Sequence, residues 1–555
     1  MQSLYRWRFY FVIIVMLTML SGLLLRLAEL MVYERDFLQG QSEARVTRTI
    51  TSPVSRGVVY DRNGLPMAVS TVQKSLWIDP AEVDELQLRA SNLANIIGLK
   101  QDAMLKKIQA NKSKSFLYLK RHLEPKVAAK IADLKLAGVG LQKEFKRYYP
   151  EAEAAAQLVG RTNIDEKGLE GLELAYNSYL EGQDGKYVVT KDRLGRVLSK
   201  QETLVHEKPG HDLFLSIDKI DQGIAYNALS EGVKTAGAKS GSAVVIDAKS
   251  GEVLALTNYP SYNPNNTKDL KPDLLRNRAI TDLFEPGSTI KPISMLYALN
   301  SGKVKLDDEV YVADGNMVLE GHTIHDVHNS NAYMSLTDIL VHSSNVGIAK
   351  LILNLPVTNF LAELASYGLG ESTGSGFPGE PQGTIANNVR QGTFDQASLS
   401  YGYGLSTTLM QLGRAYLNLA TCGEKTNVSL VKLDNDTQIN ENPKNKNCKD
   451  VHQMMAKVTQ KGGTGFRAAV KGYNVAGKTG TSYISSNKGY DTDKYTASFA
   501  GFAPAENPQY IVAVVLWEPE YNYRYGGKSA APIFAQIMQH MLVFKDGKDK
   551  PRRLN

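Results

Sequence analysis

Three short groups of residues in this 555-residue chain have the types and spacing that suit attack by a serine on an acyl group. They are Ser288 with Lys291, Ser343 with Asn345, and the run Lys478-Thr479-Gly480-Thr481. A serine hydroxyl is a weak nucleophile until a base takes its proton, and a lysine serves as that base when its surroundings keep part of it uncharged. Ser288 follows Glu285-Pro286-Gly287 and precedes an apolar run from Ile293 to Leu299, which reads as a turn and then a helix start. In a first helical turn the hydroxyl lies near unpaired backbone N–H groups, and a lysine three residues on shares its face. Ser343 and Asn345 fall between two helical segments. There Ser343 is suited to pass a proton to a leaving amine, and Asn345 to hold a substrate carbonyl or orient the lysine. Lys478, Thr479 and Thr481, flanked by Gly477 and Gly480, form a cationic, hydroxyl-rich strand edge suited to a carboxylate and to close approach of a substrate backbone.

Neither two-residue pattern is rare here. The serine–lysine spacing recurs at Ser216/Lys219, Ser429/Lys432 and Ser485/Lys488, and Ser485-Ser486-Asn487 repeats the second pattern. Context separates them: Ser216 lies in a strand-like run and Ser485 in a polar loop. Two Lys-Ser-Gly runs, at Lys239 and Lys249, precede Ser288 and flank a strand pair, so they read as turns.

The elements that must position these groups follow from hydrophobic periodicity. A helix from about Asp221 leads into strands over 242–247 and 253–257, and a helical middle carries the first two groups. Strands return over 475–483, 497–503 and 510–517, and a terminal helix covers about 530–542. This segregation predicts an α+β fold, an antiparallel sheet covered by helices, with the Ser288 helix and the Lys478 strand flanking one cleft. Upstream, 44–71 reads as extended with a hairpin turn at Asn63-Gly64, 80–135 as helical and charged, and 146–217 as mixed strand and turn. That half offers no nucleophile–base pair and reads as scaffold or docking surface.

Residues Phe9 to Leu25 form an uncharged apolar run at the short end of what spans a bilayer. Arg6 and Arg8 precede it and Arg26 is mixed with acids after it, so the positive-inside rule puts the N-terminus in the cytoplasm and exports the rest. No small-residue cleavage site follows, which favours an uncleaved anchor over a signal peptide. The expected organisation is a cytoplasmic tail (1–8), an anchor (9–30), an elongated mixed domain (31–220), a catalytic domain (221–545) and a basic tail (546–555). Trp7 and Tyr10 are expected at the membrane interface.

A net charge of +7, with the cations scattered among 57 acids, excludes a dedicated nucleic-acid surface. Cys422 and Cys448 both lie in the exported part, where a disulfide is permitted, and neither reads as catalytic. His322, His325 and His328 recur every third position, but in a hairpin-like stretch whose alternate residues diverge, so no metal site is expected. His342 reads as surface or supporting, and Glu285 as complementing the helix that follows it.

The ordered groups resemble the pattern shared by penicillin-binding proteins and class A β-lactamases. The resemblance implies that Ser288 is acylated, Lys291 is its base, Ser343 and Asn345 form the second element, and Lys478, Thr479, Gly480 and Thr481 bind the substrate carboxylate. The N–H groups of Ser288 and Thr481 would then form the oxyanion hole. Upstream, Arg56-Gly57, Asp61-Arg62-Asn63-Gly64, the run from Arg147 to Pro150, Leu158 to Gly160, Gly168 to Glu173 and Lys191 to Arg196 resemble the non-catalytic pedestal of class B penicillin-binding proteins. Tyr401-Gly402-Tyr403-Gly404 and Tyr525-Gly526-Gly527 also fit. The wording looks most like the septal cell-division transpeptidase rather than the elongation enzyme. It implies D,D-transpeptidation of peptidoglycan stem peptides without cofactor, inhibition by β-lactams, and a SEDS-type glycosyltransferase and other division proteins as membrane partners. Other readings are an elongation-type transpeptidase, an anchored D,D-carboxypeptidase or β-lactamase, and a non-enzymatic β-lactam sensor or structural division subunit.

Overall fold

The computed structural model describes residues 2–38, 40, 47–191, 197–268, 270–327, 332–385, 392–423, 426–433, 445–486 and 489–545. The chain divides into two compact units, one of Met1–Ser55, Val72–Phe145 and Gly182–Gly210, the other of Arg56–Thr71, Lys146–Glu181 and His211–Asn555.

In the first unit the apolar N-terminal run is a helix, Gln2–Val32, whose side chains from Arg6 onward are mostly exposed. At about 1.5 Å per residue it is longer than the roughly 30 Å hydrocarbon core of a bilayer. The strands Thr47–Ser52, Gly185–Lys191 and Val197–Val205 make a three-stranded antiparallel sheet. A small core of Leu76, Ile78, Leu88, Leu93, Ile97, Met104, Ile108, Leu119 and Ile131 packs helices between Glu85 and Asp133 onto strands. The stretch 80–135 is not helical throughout. Leu117–Leu123 is a strand, pairing Tyr118 with Trp77 and Leu117 with Ile78, because its aromatic and branched residues find a cross-strand partner that helix periodicity does not reveal.

The second unit holds all three chemical groups. Its sheet has five antiparallel strands in the order Val253–Tyr259, Ser240–Asp247, Tyr510–Trp517, Gly489–Ala503, Ala476–Ser486. Successive side chains point to opposite faces, so each inner strand feeds two cores. Val244, Ile246, Ile511, Ala513 and Val515 join the core that includes Leu409–Ala420, while Ala243, Val245, Val512, Val514 and Leu516 pack with Lys219–Thr235 and Gly526–Gln539. Such strands are buried on both faces and read as continuous apolar runs. Ala476–Ser486 is the edge strand of this sheet among the described residues.

Several pedestal-like residues form a buried ionic cluster in this second unit. Arg56 Nε and Arg147 Nε each lie 2.7 Å from a different oxygen of Glu173, with all three side chains almost wholly buried. Arg56 also donates to Asn177 Oδ1 at 2.9 Å and Arg147 to Ser70 Oγ at 3.1 Å. A buried charge of this kind is tolerable only with its partners in place. The Asn63-Gly64 hairpin forms as expected, with Gly64 at φ 81° and Asp61 accepting from the N–H groups of Asn63 and Leu65. Residues 192–196 of the Lys191–Arg196 motif and the basic tail 546–555 lie outside the described residues.

Candidate active site

Ser288 lies in a 3₁₀ turn, Gly287–Ile290, that runs directly into the helix Lys291–Asn300. Residues three apart eclipse one another in such a turn, so Ser288 and Lys291 project to the same side. The expected helix start is thus present, with the tighter winding bringing the pair closer into line. Ser288 is half-buried and Lys291 fully buried.

Lys291 is fixed by the second group. Its Nζ donates to the Ser343 carbonyl at 2.6 Å and to Asn345 Oδ1 at 2.7 Å, and lies 3.2 Å from Ser343 Oγ. The Asn345 amide is oriented by its own Nδ2, which donates to the His325 carbonyl at 2.9 Å. Ser343 takes a left-handed backbone, φ 60°, which a non-glycine residue holds only where the surroundings impose it. Burial pushes the Lys291 ammonium well below its ordinary range; the Lys478 cation pushes the same way and the Asp326 carboxylate opposes them. A neutral lysine has two N–H groups and one lone pair. The carbonyl and the amide oxygen accept both hydrogens, which leaves the lone pair for a hydroxyl that can donate.

Asp326 is a residue that sequence reasoning missed. Its Oδ1 accepts from the N–H groups of Asn345 at 2.6 Å and Val346 at 3.0 Å, and its Oδ2 accepts from Ser344 Oγ at 2.6 Å. It caps the helix Asn345–Leu353 and locks the loop that carries Ser343. The signal lay inside the histidine-spaced stretch, which serves the site through Asp326 and the His325 carbonyl. The rings behave as expected of a hairpin. His322 stacks on Phe394 with centroids 4.4 Å apart, and His325 bonds Asn316; His328 lies outside the described residues.

Lys478 is also fully buried, with Nζ 3.3 Å from Thr479 Oγ1, and burial lowers its pKa to about 7. Gly480 explains how the turn and the strand come together. A Cβ there would fall 2.2 Å from Ser498 Oγ, 2.8 Å from the Pro286 carbonyl and 2.9 Å from Thr289 Cγ2. Only glycine lets the Ser288 turn lie against the strand this closely. Ser482 Oγ adds a tie by donating to the Glu285 carbonyl at 2.8 Å. On the other face Thr481 Oγ1 accepts from the Gly526 N–H at 3.2 Å, and a Cβ at Gly526 would meet the Ser498 and Gly480 carbonyls. Thr479 Oγ1 reaches Thr464 Oγ1 at 3.4 Å.

The structure brings Ser288, Lys291, Ser343, Asn345, Lys478, Thr479, Gly480 and Thr481 into one neighbourhood and disperses the repeats. Ser216 Oγ is spent on the Val253 and Ser429 carbonyls, and Lys219 pairs with Glu151. Ser429 Oγ donates to the Val431 carbonyl, and Lys432 to that of Arg62. Ser485 is exposed on the strand, while Asn487 and Lys488 lie outside the described residues. Lys239 pairs with Glu518 and Lys249 begins a turn. Glu285 departs from its expected role. Its Oε1 accepts from the Gly404 N–H at 2.9 Å and from the Tyr490 hydroxyl at 3.0 Å, so it braces the Tyr401–Gly404 turn against the motif hairpin, and burial raises its pKa. Cys422 and Cys448 form a disulfide, which removes both thiols from any metal set with the neighbouring His452.

Residues 241–539 match the family described as the penicillin binding protein transpeptidase domain, and residues 51–215 match the penicillin-binding protein dimerisation domain. The chain belongs to the penicillin-binding proteins that join these two domains. Among its relatives is the probable peptidoglycan D,D-transpeptidase PbpC of Pseudomonas aeruginosa, 39% identical over 97% of this chain and 95% of that one. The peptidoglycan D,D-transpeptidase FtsI of Escherichia coli is 38% identical over 97% and 91%. The crystal structure of penicillin binding protein 2X from Streptococcus thermophilus shares the fold, with a TM-score of 0.74 at 22% identity over 90% of this chain and 80% of that one.

Proposed function

We propose that this chain cross-links peptidoglycan stem peptides at the division septum through an acyl-enzyme on Ser288. The observation that carries the chemistry is the buried Lys291, whose two N–H groups are taken by the Ser343 carbonyl and Asn345 Oδ1 one turn from Ser288. Lys291 takes the Ser288 proton as Oγ attacks the carbonyl of the penultimate D-Ala. The developing oxyanion is met by the Ser288 and Thr481 N–H groups. Collapse breaks the D-Ala-D-Ala bond, the proton returns through Lys291 and Ser343 to the leaving amine, and an ester remains on Ser288. The amine of a second stem then attacks that ester, giving up a proton along the same route and freeing Ser288. Lys478, Thr479 and Thr481 hold the terminal carboxylate, whose charge draws Lys478 back to its protonated form.

The N-terminal apolar helix anchors the protein in the membrane. The basic residues before it put that end in the cytoplasm and the catalytic unit in the periplasm. A SEDS-type glycosyltransferase and other division-complex proteins are the partners this reading calls for. A labelled penicillin tests the chemistry: wild type takes a covalent label and Ser288→Ala does not, and equal labelling of both sinks the assignment. Depletion in cells tests the septal role, with filaments expected and rounded cells counting against it.

A further inference from the structure

Beyond the motif strand, the Arg524 cation is held in a fixed position by two neighbouring tyrosines. The Arg524 guanidinium carbon lies 3.6 Å from the Tyr521 ring centroid and 4.4 Å from that of Tyr525. Its Nη1 donates to the Tyr521 carbonyl at 2.7 Å and its Nη2 to the Tyr525 hydroxyl at 3.1 Å. These contacts hold the guanidinium in place and use only part of its five N–H groups. The side chain is half-buried, and among the described residues no carboxylate lies within ion-pair distance of it. Its place is fixed relative to the candidate site, because the Gly526 N–H, two residues on, donates to Thr481 Oγ1. Tyr483, the next residue after Thr481 on that face of the strand, packs against Tyr495 with tilted rings and centroids 5.2 Å apart, and Tyr495 in turn feels the charge of Arg524. Arg524 therefore stands at the end of the strand face that bears Thr479 and Thr481.

We infer that Arg524 is a specificity residue that binds a carboxylate of the donor stem peptide other than its terminal one. This inference rests on the transpeptidase reading. A guanidinium fixed by two hydrogen bonds and two neighbouring rings is pre-organised, so a planar carboxylate meets its remaining N–H groups at small conformational cost. A lysine could not be clamped in this way. Stem peptides offer two such groups: the free α-carboxylate of a γ-linked glutamate, and the side-chain carboxylate of a third residue of the diaminopimelate type.

The test uses the full chain in detergent micelles and three stem pentapeptides: one with both carboxylates free and two with one or the other converted to the carboxamide. Release of D-Ala gives kcat and KM. Wild type should lose about tenfold in kcat/KM on one of the two amides, mostly through KM, as befits one charge-assisted contact at a half-buried site. The amide that loses identifies the carboxylate. Arg524→Met should process that amide and the free peptide alike, and Arg524→Lys should keep part of the preference. A covalent penicillin label on each variant reports that its site is folded. Equal rates of wild type on all three peptides, or an Arg524→Met variant that keeps the preference, would overturn the assignment while leaving the transpeptidase reading intact. Failure of wild type to take the penicillin label would remove that reading and this inference with it.

Discussion

Asn345→Asp tests the base directly, because it changes charge at an atom 2.7 Å from Lys291 Nζ with almost no change in shape. At an effective dielectric of about 20, a full negative charge at 2.7 Å attracts an ammonium by about 6 kcal/mol. If loop relaxation and water leave only a quarter of that, about 1.5 kcal/mol still favours the protonated lysine roughly tenfold more than in wild type. The native amide imposes no such bias, and burial keeps the amine accessible as a base. The acylation rate should rise with pH as Lys291 loses its proton. Raising its pKa moves that rise to higher pH. The assay is the second-order rate of labelling by a fluorescent penicillin from pH 5 to 10. At pH 7 the variant should be at least about tenfold slower, and it should recover as pH increases. Asn345→Ala supplies the contrast, since it removes an acceptor for the ammonium without adding charge. Its loss should be spread across all pH values, with no upward displacement of the rise. Two profiles of the same shape, each lowered by a constant factor, would mean that Asn345 only shapes the loop and would refute Lys291 as the base.

Gly480→Ala should cut penicillin acylation at least about a hundredfold, since the new Cβ displaces the Ser288 turn; adding Ser498→Ala should not restore it, because the Pro286 carbonyl still lies 2.8 Å away. Asp326→Ala leaves the Asn345 and Val346 N–H groups without their acceptor, so thermal unfolding should reveal a loss of about 1–2 kcal/mol alongside slower acylation. Lys478→Met should stabilise the protein while abolishing turnover. A lysine whose pKa falls to about 7 on folding disfavours the folded state by on the order of 4 kcal/mol at neutral pH, a cost that shrinks as pH rises from about 7 towards the ordinary lysine value. The gain in melting temperature from this substitution should therefore be larger at pH 7 than at pH 10. Cys422→Ala/Cys448→Ala opens a cross-link between residues 26 apart in sequence and should cost about 3 kcal/mol of stability, read from the unfolding midpoint, without changing the penicillin rate.

The chemistry was legible because each group carries its own local logic. A Pro-Gly turn before Ser288, a helix junction at Ser343 and glycines around Lys478 are all written in neighbouring residues. The apolar runs 243–246 and 510–517 likewise announced strands of a sheet covered by helices. What stayed hidden was non-local. Asp326 sits 19 residues before Asn345 and holds it through a backbone N–H, a contact that no spacing rule reports. Glu285 was assigned to the helix beside it, whereas its carboxylate is used by Gly404 and Tyr490, far along the chain. The Leu117–Leu123 strand was lost among helices because its partner lies some forty residues upstream. The close approach at Gly480 depends on three elements at once, so the sequence could show that a glycine was present there but not what it admits.

Two buried lysines sharing one site make substrate capture an event that consumes a proton. Burial brings the Lys478 pKa to about 7, so the arrival of a carboxylate above pH 7 must draw a proton from solvent, while the acylation that follows needs Lys291 to have shed one. Affinity and chemistry thus answer to acidity in opposite directions, and productive encounters are confined to the range in which one amine is charged and its neighbour is not. Calorimetry of ligand binding in buffers of different ionisation heat would register this as net proton uptake that grows from pH 6 to pH 8. It makes local acidity an input to the rate of cross-linking.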